Sequence, residues 1–304
     1  MARYRLTLHC GLHKTGTTAL QKVLHRNRGA LAARGVFYPS PPEGVGHNRF
    51  FRAALAHELQ HALEAFFVSG TERLLLSAED LSLHLLDPAR ARAIRDTFAR
   101  LFDIEIIVYL RRQDRLKESV YAEIVKRRFT GPIETDTHYM LDFRERLARL
   151  EAAFGRDAMK VRLYPEDAPC PATLLADFCA AAGLDPAAME TDGTRHNAAF
   201  HRRKTLLLSE MPVGGGPSGR EFIRFLATSA VPDDDGIRFL GAPDTHRAIL
   251  ETYRAGNDAV AARYGMPEPL PTFEMTEEHA AWRPPAPITE AERKAVLHAF
   301  VAAD

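Results

Sequence analysis

A strand-forming run that breaks into a glycine- and threonine-rich turn, then into a helix, constrains this chain more than any other feature. Residues 8–24 read LHCGLHKTGTTALQKVL. A strand, glycine turn and helix in that order aim backbone N–H groups and the positive helix end at one point, where an anion is held. Thr15, Thr17 and Thr18 add hydroxyl donors, and Lys14 adds a mobile point charge. An ATP-type loop, GxxxxGK[ST], places its lysine directly before the final Ser/Thr. Here Gly16 is followed by Thr17 and Thr18, and Lys14 stands two residues ahead of that glycine. The turn predicts a phosphate cradle of another kind.

Hydrophobic patterning sets the fold around this turn. Short apolar runs at 5–10, 73–80, 104–110 and 159–164 read as strands, the run IEIIVYL at 104–110 most clearly. Between them lie helical patterns: Thr18 to Ala33, Asn48 to Phe67, one opening at Asp87-Pro88, Asp114 to Arg128, and Thr137 to Phe154. Alternation of this kind predicts an α/β fold, a central parallel sheet flanked by helices with right-handed crossovers. Beyond Pro171 the pattern is mostly helical, with loops at 212–219 and 231–236. No repeat or sharp linker appears. The expectation is one domain over 1–304, with an α/β core at 5–165 and a helical part at 171–304.

Composition narrows the partners. Forty basic and forty acidic residues cancel in a chain of 304, so no global field favours nucleic acid. No long apolar run reads as a membrane span, and the N-terminus does not read as a signal peptide. Three cysteines without CxxC spacing, Cys10, Cys170 and Cys179, fit free thiols in a reducing cytoplasm. The thirteen histidines show no paired ligand spacing, and no metal is expected.

The run GLHKTGTTALQ resembles the 5′-phosphosulfate loop of sulfotransferases that use 3′-phosphoadenosine-5′-phosphosulfate (PAPS). In that family a lysine in a Lys-x-Gly-Thr-Thr turn contacts the oxygen bridging phosphate and sulfate, and Lys14 occupies its position. His13 stands where many members have proline. The family's 3′-phosphate site is a strand ending in arginine with a serine eight residues on. IEIIVYLRRQDRLKESVY matches it through Arg111 and Ser119. The proline that often follows the arginine is replaced by Gln113, which leaves Arg112 as an alternative to Arg111. The resemblance covers about residues 5–165.

What the resemblance implies is a P-loop-like sulfotransferase fold and sulfuryl transfer from PAPS to a hydroxyl or amine of a small-molecule or lipid-like acceptor. Gly11, His13, Lys14, Thr15, Gly16, Thr17 and Thr18 would hold the donor, with Arg111 and Ser119 on its 3′-phosphate. Adenosine 3′,5′-bisphosphate would be the product, and no metal would be needed. The family carries His or Glu as proton acceptor near the end of the strand at 73–80. Glu79 is the first choice there, with Asp80 and His84 as alternatives. His47 and Asn48 are candidates for the acceptor pocket, and Arg195, Asn197, Arg202 and Arg203 for further nucleotide contacts. A homodimer is the family-level expectation. Two other functions compete: a P-loop small-molecule kinase, which lacks its GK[ST] here, and a non-catalytic sensor of adenosine 3′,5′-bisphosphate.

Overall fold

The computed structural model describes residues 4–41, 43–51, 57–126, 141–165, 171–190, 202–211, 217–229, 237, 239–266, 270 and 272–302. These divide into two compact units. The first comprises Met1–Arg111, Asp142–His196 and Gly256–Leu270; the second comprises Arg112–Leu141, Asn197–Ala255 and Pro271–Asp304.

The first unit is built on a parallel sheet of strands β1 (Tyr4–Cys10), β2 (Val36–Phe37), β3 (Arg73–Ala78), β4 (Phe102–Leu110) and β5 (Met159–Leu163). Its order is β2-β3-β1-β4-β5, with every pairing parallel. Ile106 to Leu110 are buried without interruption, as a strand covered on both faces requires. All four expected strands are present. The two-residue edge strand β2 is too short for any periodicity to register.

After β1 come helices α1 (Thr17–Arg26) and α2 (Arg28–Ala32), where the sequence predicts one continuous helix. Asn27 breaks it. Its side-chain amide donates to Val23 O and to Glu190 O, and its Oδ1 accepts from the Glu190 N–H. Side-chain amides that bond backbone in this way compete with helix continuation. The helices α3 (His57–Ser69), α4 (Leu81–His84) and α5 (Pro88–Ala99) follow. Asp87 caps α5 by accepting from Ala89 N, with Pro88 in its first turn, as read from the sequence. The helix α6 (Gln113–Ile124) follows β4, and α7 (Phe143–Phe154) is capped by Asp142. The expected start of α7 at Thr137 lies outside the described residues.

The C-terminal part is helical, as predicted: α8 (Pro171–Ala182), α9 (Arg202–Glu210), α10 (Pro217–Thr228), α11 (Pro243–Tyr264), α12 (Glu277–Ala281) and α13 (Glu290–Val301). Of the predicted loops, 212–216 and 231–236 lie outside the described residues, while 217–219 form the first turn of α10 and correct the end of the first loop. In the first unit Leu20, Val23 and Leu24 of α1 pack with Leu75, Ile107, Tyr109, Leu174 and Phe178. Tyr121, Leu208, Met211, Phe222 and Leu226 form a core of the second. No helix among the described residues is long and apolar enough to cross a membrane. Cys10 and Cys179 are free and buried; Cys170 lies outside the described residues.

Candidate functional site

The order β2-β3-β1-β4-β5 sends the chain one way after β1 and the other way after β3 and β4. Loops at the carboxyl ends of such strands open a crevice at the reversal. The Gly11–Gly16 turn emerges there, between the ends of β3 and β4.

Two glycines shape this turn. A Cβ on Gly11 would collide with Thr17 Oγ1. Gly16 has φ +73, and a Cβ there would meet Leu174 Cδ2 at 2.6 Å. Lys14 has φ 68, alone among the described non-glycine residues in being left-handed. Thr15 Oγ1 donates to Leu12 O at 2.6 Å and lies 3.5 Å from Thr17 Oγ1. Both threonines are buried, so they close the turn from within, whereas Thr18 is exposed. No side chain caps α1 and no acidic residue occupies its first turn, which keeps the positive helix end available to an anion.

Both neighbouring strands reach into the turn. Glu79, directly after β3, has Oε1 3.2 Å from His13 Nδ1, with about a quarter of each side chain exposed. Burial would raise the Glu79 carboxyl. The hydrogen bond and charge of His13, together with the Lys14 backbone N–H and ammonium, outweigh it and hold the group below the ordinary carboxylate value. Glu79 therefore stays ionised at neutral pH and braces the loop. From β4, Arg111 Nη1 donates to Lys14 O at 2.8 Å, and its guanidinium lies 5.3 Å from the Tyr164 ring centroid. The structure thus brings Gly11, His13, Lys14, Thr15, Gly16, Thr17, Glu79 and Arg111 together in one unit.

Other candidates have different surroundings. Arg112 is in the second unit with its fork on Asp114, at 2.8 and 2.7 Å. Ser119 lies on α6, also in the second unit. His47 is fully buried: Nδ1 accepts from Ser77 N at 2.9 Å, which puts the ring proton on Nε2, 3.0 Å from Pro39 O. Burial drives its pKa down to about 4, against the hydrogen bonds at Pro39 and Ser77. It is a neutral brace, not an exposed pocket wall. Asn48 Oδ1 accepts from Asp80 N at 3.1 Å. His84 Nδ1 accepts from Arg90 at 2.8 Å. Arg202 and Arg203 are buried, donating to the carbonyls of Arg283 and Ala286, and Arg203 also pairs with Glu292. They are structural ties, where the sequence suggested nucleotide contacts. Arg195 and Asn197 lie outside the described residues.

Beneath the turn is a polar network that no motif announced. Gln21 Nε2 donates to Ser77 O and Ser77 Oγ, and His9 Nδ1 lies 2.8 Å from the same hydroxyl. His9 is fully enclosed between Tyr109 and Phe178, and burial lowers its pKa to about 4 despite the charge of Glu79. A histidine inside a strand that otherwise reads as apolar was the one available signal. In the second unit, Asp114, His246 and His279 bring three metal-capable side chains together. They come from three separate helices, so no sequence spacing reveals them.

No protein-family model matches this chain, and no curated protein matches it. Among solved structures, a sulfotransferase from Alicyclobacillus acidocaldarius is similar over 83% of this chain and 96% of its own, at 18% identity and a TM-score of 0.39. A superposition at that level names a neighbour and carries no further weight.

Proposed function

We propose that the chain is a sulfotransferase that takes its sulfuryl group from PAPS and passes it to a hydroxyl or amine. The observation that carries this reading is the convergence of Glu79, from the end of β3, and Arg111, from the end of β4, on the backbone of Lys14. A loop braced from both sides holds a lysine beside an uncapped helix start, which suits a phosphate-bearing donor.

When bound, PAPS would supply a sulfuryl group and leave as adenosine 3′,5′-bisphosphate. Its 5′ side would be held by the turn from Gly11 to Thr18, where the helix end and exposed Thr18 supply donors. Lys14 would place its ammonium where negative charge grows, an interaction stronger in the transition state than in the ground state. Arg111 would take the 3′-phosphate, since a planar fork suits phosphate oxygens. Ser119 joins it on sequence spacing alone. The His13–Glu79 pair would receive the acceptor's proton, Glu79 keeping the pair's negative charge in place.

Thermal shift with adenosine 3′,5′-bisphosphate, AMP and ATP·Mg tests the donor site through binding linkage. The bisphosphate should stabilise most. A larger shift with ATP·Mg would favour a kinase. Transfer from labelled PAPS to a panel of alcohols and amines then separates an enzyme from a non-catalytic sensor.

A further inference from the structure

In the second unit, helices α6, α11 and α12 each contribute one side chain to a sealed cluster. Asp114, His246 and His279 are exposed by only 0%, 1% and 2%. One ligand atom from each lies within 4.8 Å of the others. His246 Nδ1 stands 3.2 Å from His279 Nε2 and 3.7 Å from Asp114 Oδ2. A tetrahedral ion with bonds of about 2.0–2.2 Å spaces its ligands roughly 3.3–3.6 Å apart. We propose that Asp114, His246 and His279 form a binding site for a divalent transition-metal ion of the zinc class.

The atoms behind these ligands fit that role. His246 Nε2 lies 3.0 Å from Glu118 Oε1, and Glu118 in turn accepts the N–H groups of Leu240 and Gly241 at 3.0 and 2.8 Å. With Glu118 Oε1 as the acceptor beside Nε2, the His246 ring proton sits on Nε2 and the Nδ1 lone pair turns inward. That is the usual second layer of a metal-bound histidine. Gly241 leaves room for it: a Cβ would lie 3.2 Å from His246 Nε2 and 3.3 Å from Glu118 Oε1. On the other ring, His279 Nδ1 lies 2.7 Å from Thr276 Oγ1. Nδ1 also accepts the Thr276 backbone N–H at 3.3 Å in the capping box of α12, so binding an ion requires the ring proton to shift from Nε2 to Nδ1, towards the Thr276 hydroxyl, which frees the Nε2 lone pair for the cluster. Two imidazoles and one carboxylate are a borderline donor set that suits zinc, cobalt or nickel better than calcium or magnesium.

Two cations temper the affinity. Arg112 grips both Asp114 oxygens, and Arg115 lies over the Phe239 ring at 3.7 Å. The ion is therefore exchangeable by chelators. The competing account is a metal-free relay in which the Thr276 hydroxyl donates to His279, His279 to His246, and His246 to Glu118. Passing from relay to metal site moves the His279 proton from Nε2 to Nδ1 and releases none.

The test uses the full chain after chelator treatment. Added Co²⁺ should give visible ligand-field absorption saturating at one ion per chain, and Zn²⁺ should displace it and raise the melting temperature. The His57 and His61 rings, with centroids 4.1 Å apart, are an obvious adventitious pair, so the His57→Ala/His61→Ala variant must keep this behaviour. His246→Gln and His279→Gln should each lose it. If those variants do not fold, the wild-type Co²⁺ form should show two hyperfine-shifted ring N–H protons, one for each histidine. No binding, binding lost in the His57→Ala/His61→Ala variant, binding retained in His279→Gln, or fewer than two shifted ring protons would each overturn the site in favour of the relay.

Discussion

The Arg111 guanidinium donates to the carbonyl of Lys14 at 2.8 Å, across 97 positions of sequence. The end of β4 is thereby tied to the turn after β1. Tyr164 beneath that guanidinium continues the tie, since its own N–H bonds Leu110 O at 2.7 Å. A residue expected only to read a ligand also holds the loop's shape.

Arg111→Ala should therefore do two things. The thermal shift caused by adenosine 3′,5′-bisphosphate should fall to that caused by AMP, and the AMP shift should itself shrink because the loop has lost a brace. Ser119→Ala should reduce only the preference for the bisphosphate, and by less. Equal shifts with AMP and the bisphosphate in the wild-type protein would remove the 3′-phosphate role from Arg111.

Lys14→Ala should lower sulfuryl transfer by about 10²–10³-fold, the scale of losing one charge-stabilising donor, while bisphosphate affinity changes far less. Single-turnover kinetics with labelled PAPS beside bisphosphate titration make the comparison. Near-wild-type turnover in the variant would leave Lys14 a loop residue without a catalytic part.

Glu79→Gln should keep bisphosphate binding and lower transfer by roughly 10²-fold. Because Glu79 is held below the ordinary carboxylate value, wild-type turnover should withstand falling pH further than a glutamate of ordinary pKa would allow. An acidic limb that persists in Glu79→Gln and disappears in His13→Gln would assign the base to the ring and leave the carboxylate as its holder.

His9 and His47 make fold stability depend on pH. Both have folded pKa values of about 4 against 6.5 for the free group. The unfolded chain therefore takes up protons first as the pH falls. Their contribution is complete above pH 6.5 and is lost progressively down to about 4, on the order of 3 kcal/mol for each. Urea midpoints from pH 7 to 4 should show this decline, and His47→Gln should flatten part of it. A flat profile in the wild-type protein would mean that one or both rings are not neutral in the fold.

Much of this was legible in the sequence because it is local. The strand ending in Cys10, the glycine turn and the apolar stripe of α1 each declare themselves within a few residues. So does the Asp87-Pro88 helix start. The brace on Lys14 was only half legible: Arg111 and Glu79 could be placed at strand ends, but not their shared hold on one backbone. That depends on β1 lying between β3 and β4, which is a matter of strand order. The buried residues were the least legible. Arg202 and Arg203 read as candidates for nucleotide contacts, and only tertiary packing shows that carbonyls and Glu292 surround them. His47 sits in a Gly/Pro-rich stretch that looks like open loop, yet Ser77 and Pro39 enclose it.

The left-handed backbone at Lys14 has a consequence for anyone who engineers this chain. A lysine in that conformation costs on the order of 1–2 kcal/mol that a glycine would not. Selection for heat resistance alone would therefore favour glycine at position 14 and discard the charge with the strain. Stabilised libraries need that position fixed, or a second screen that counts ligand response, because a glycine there would remove the side chain on which the proposed transfer depends.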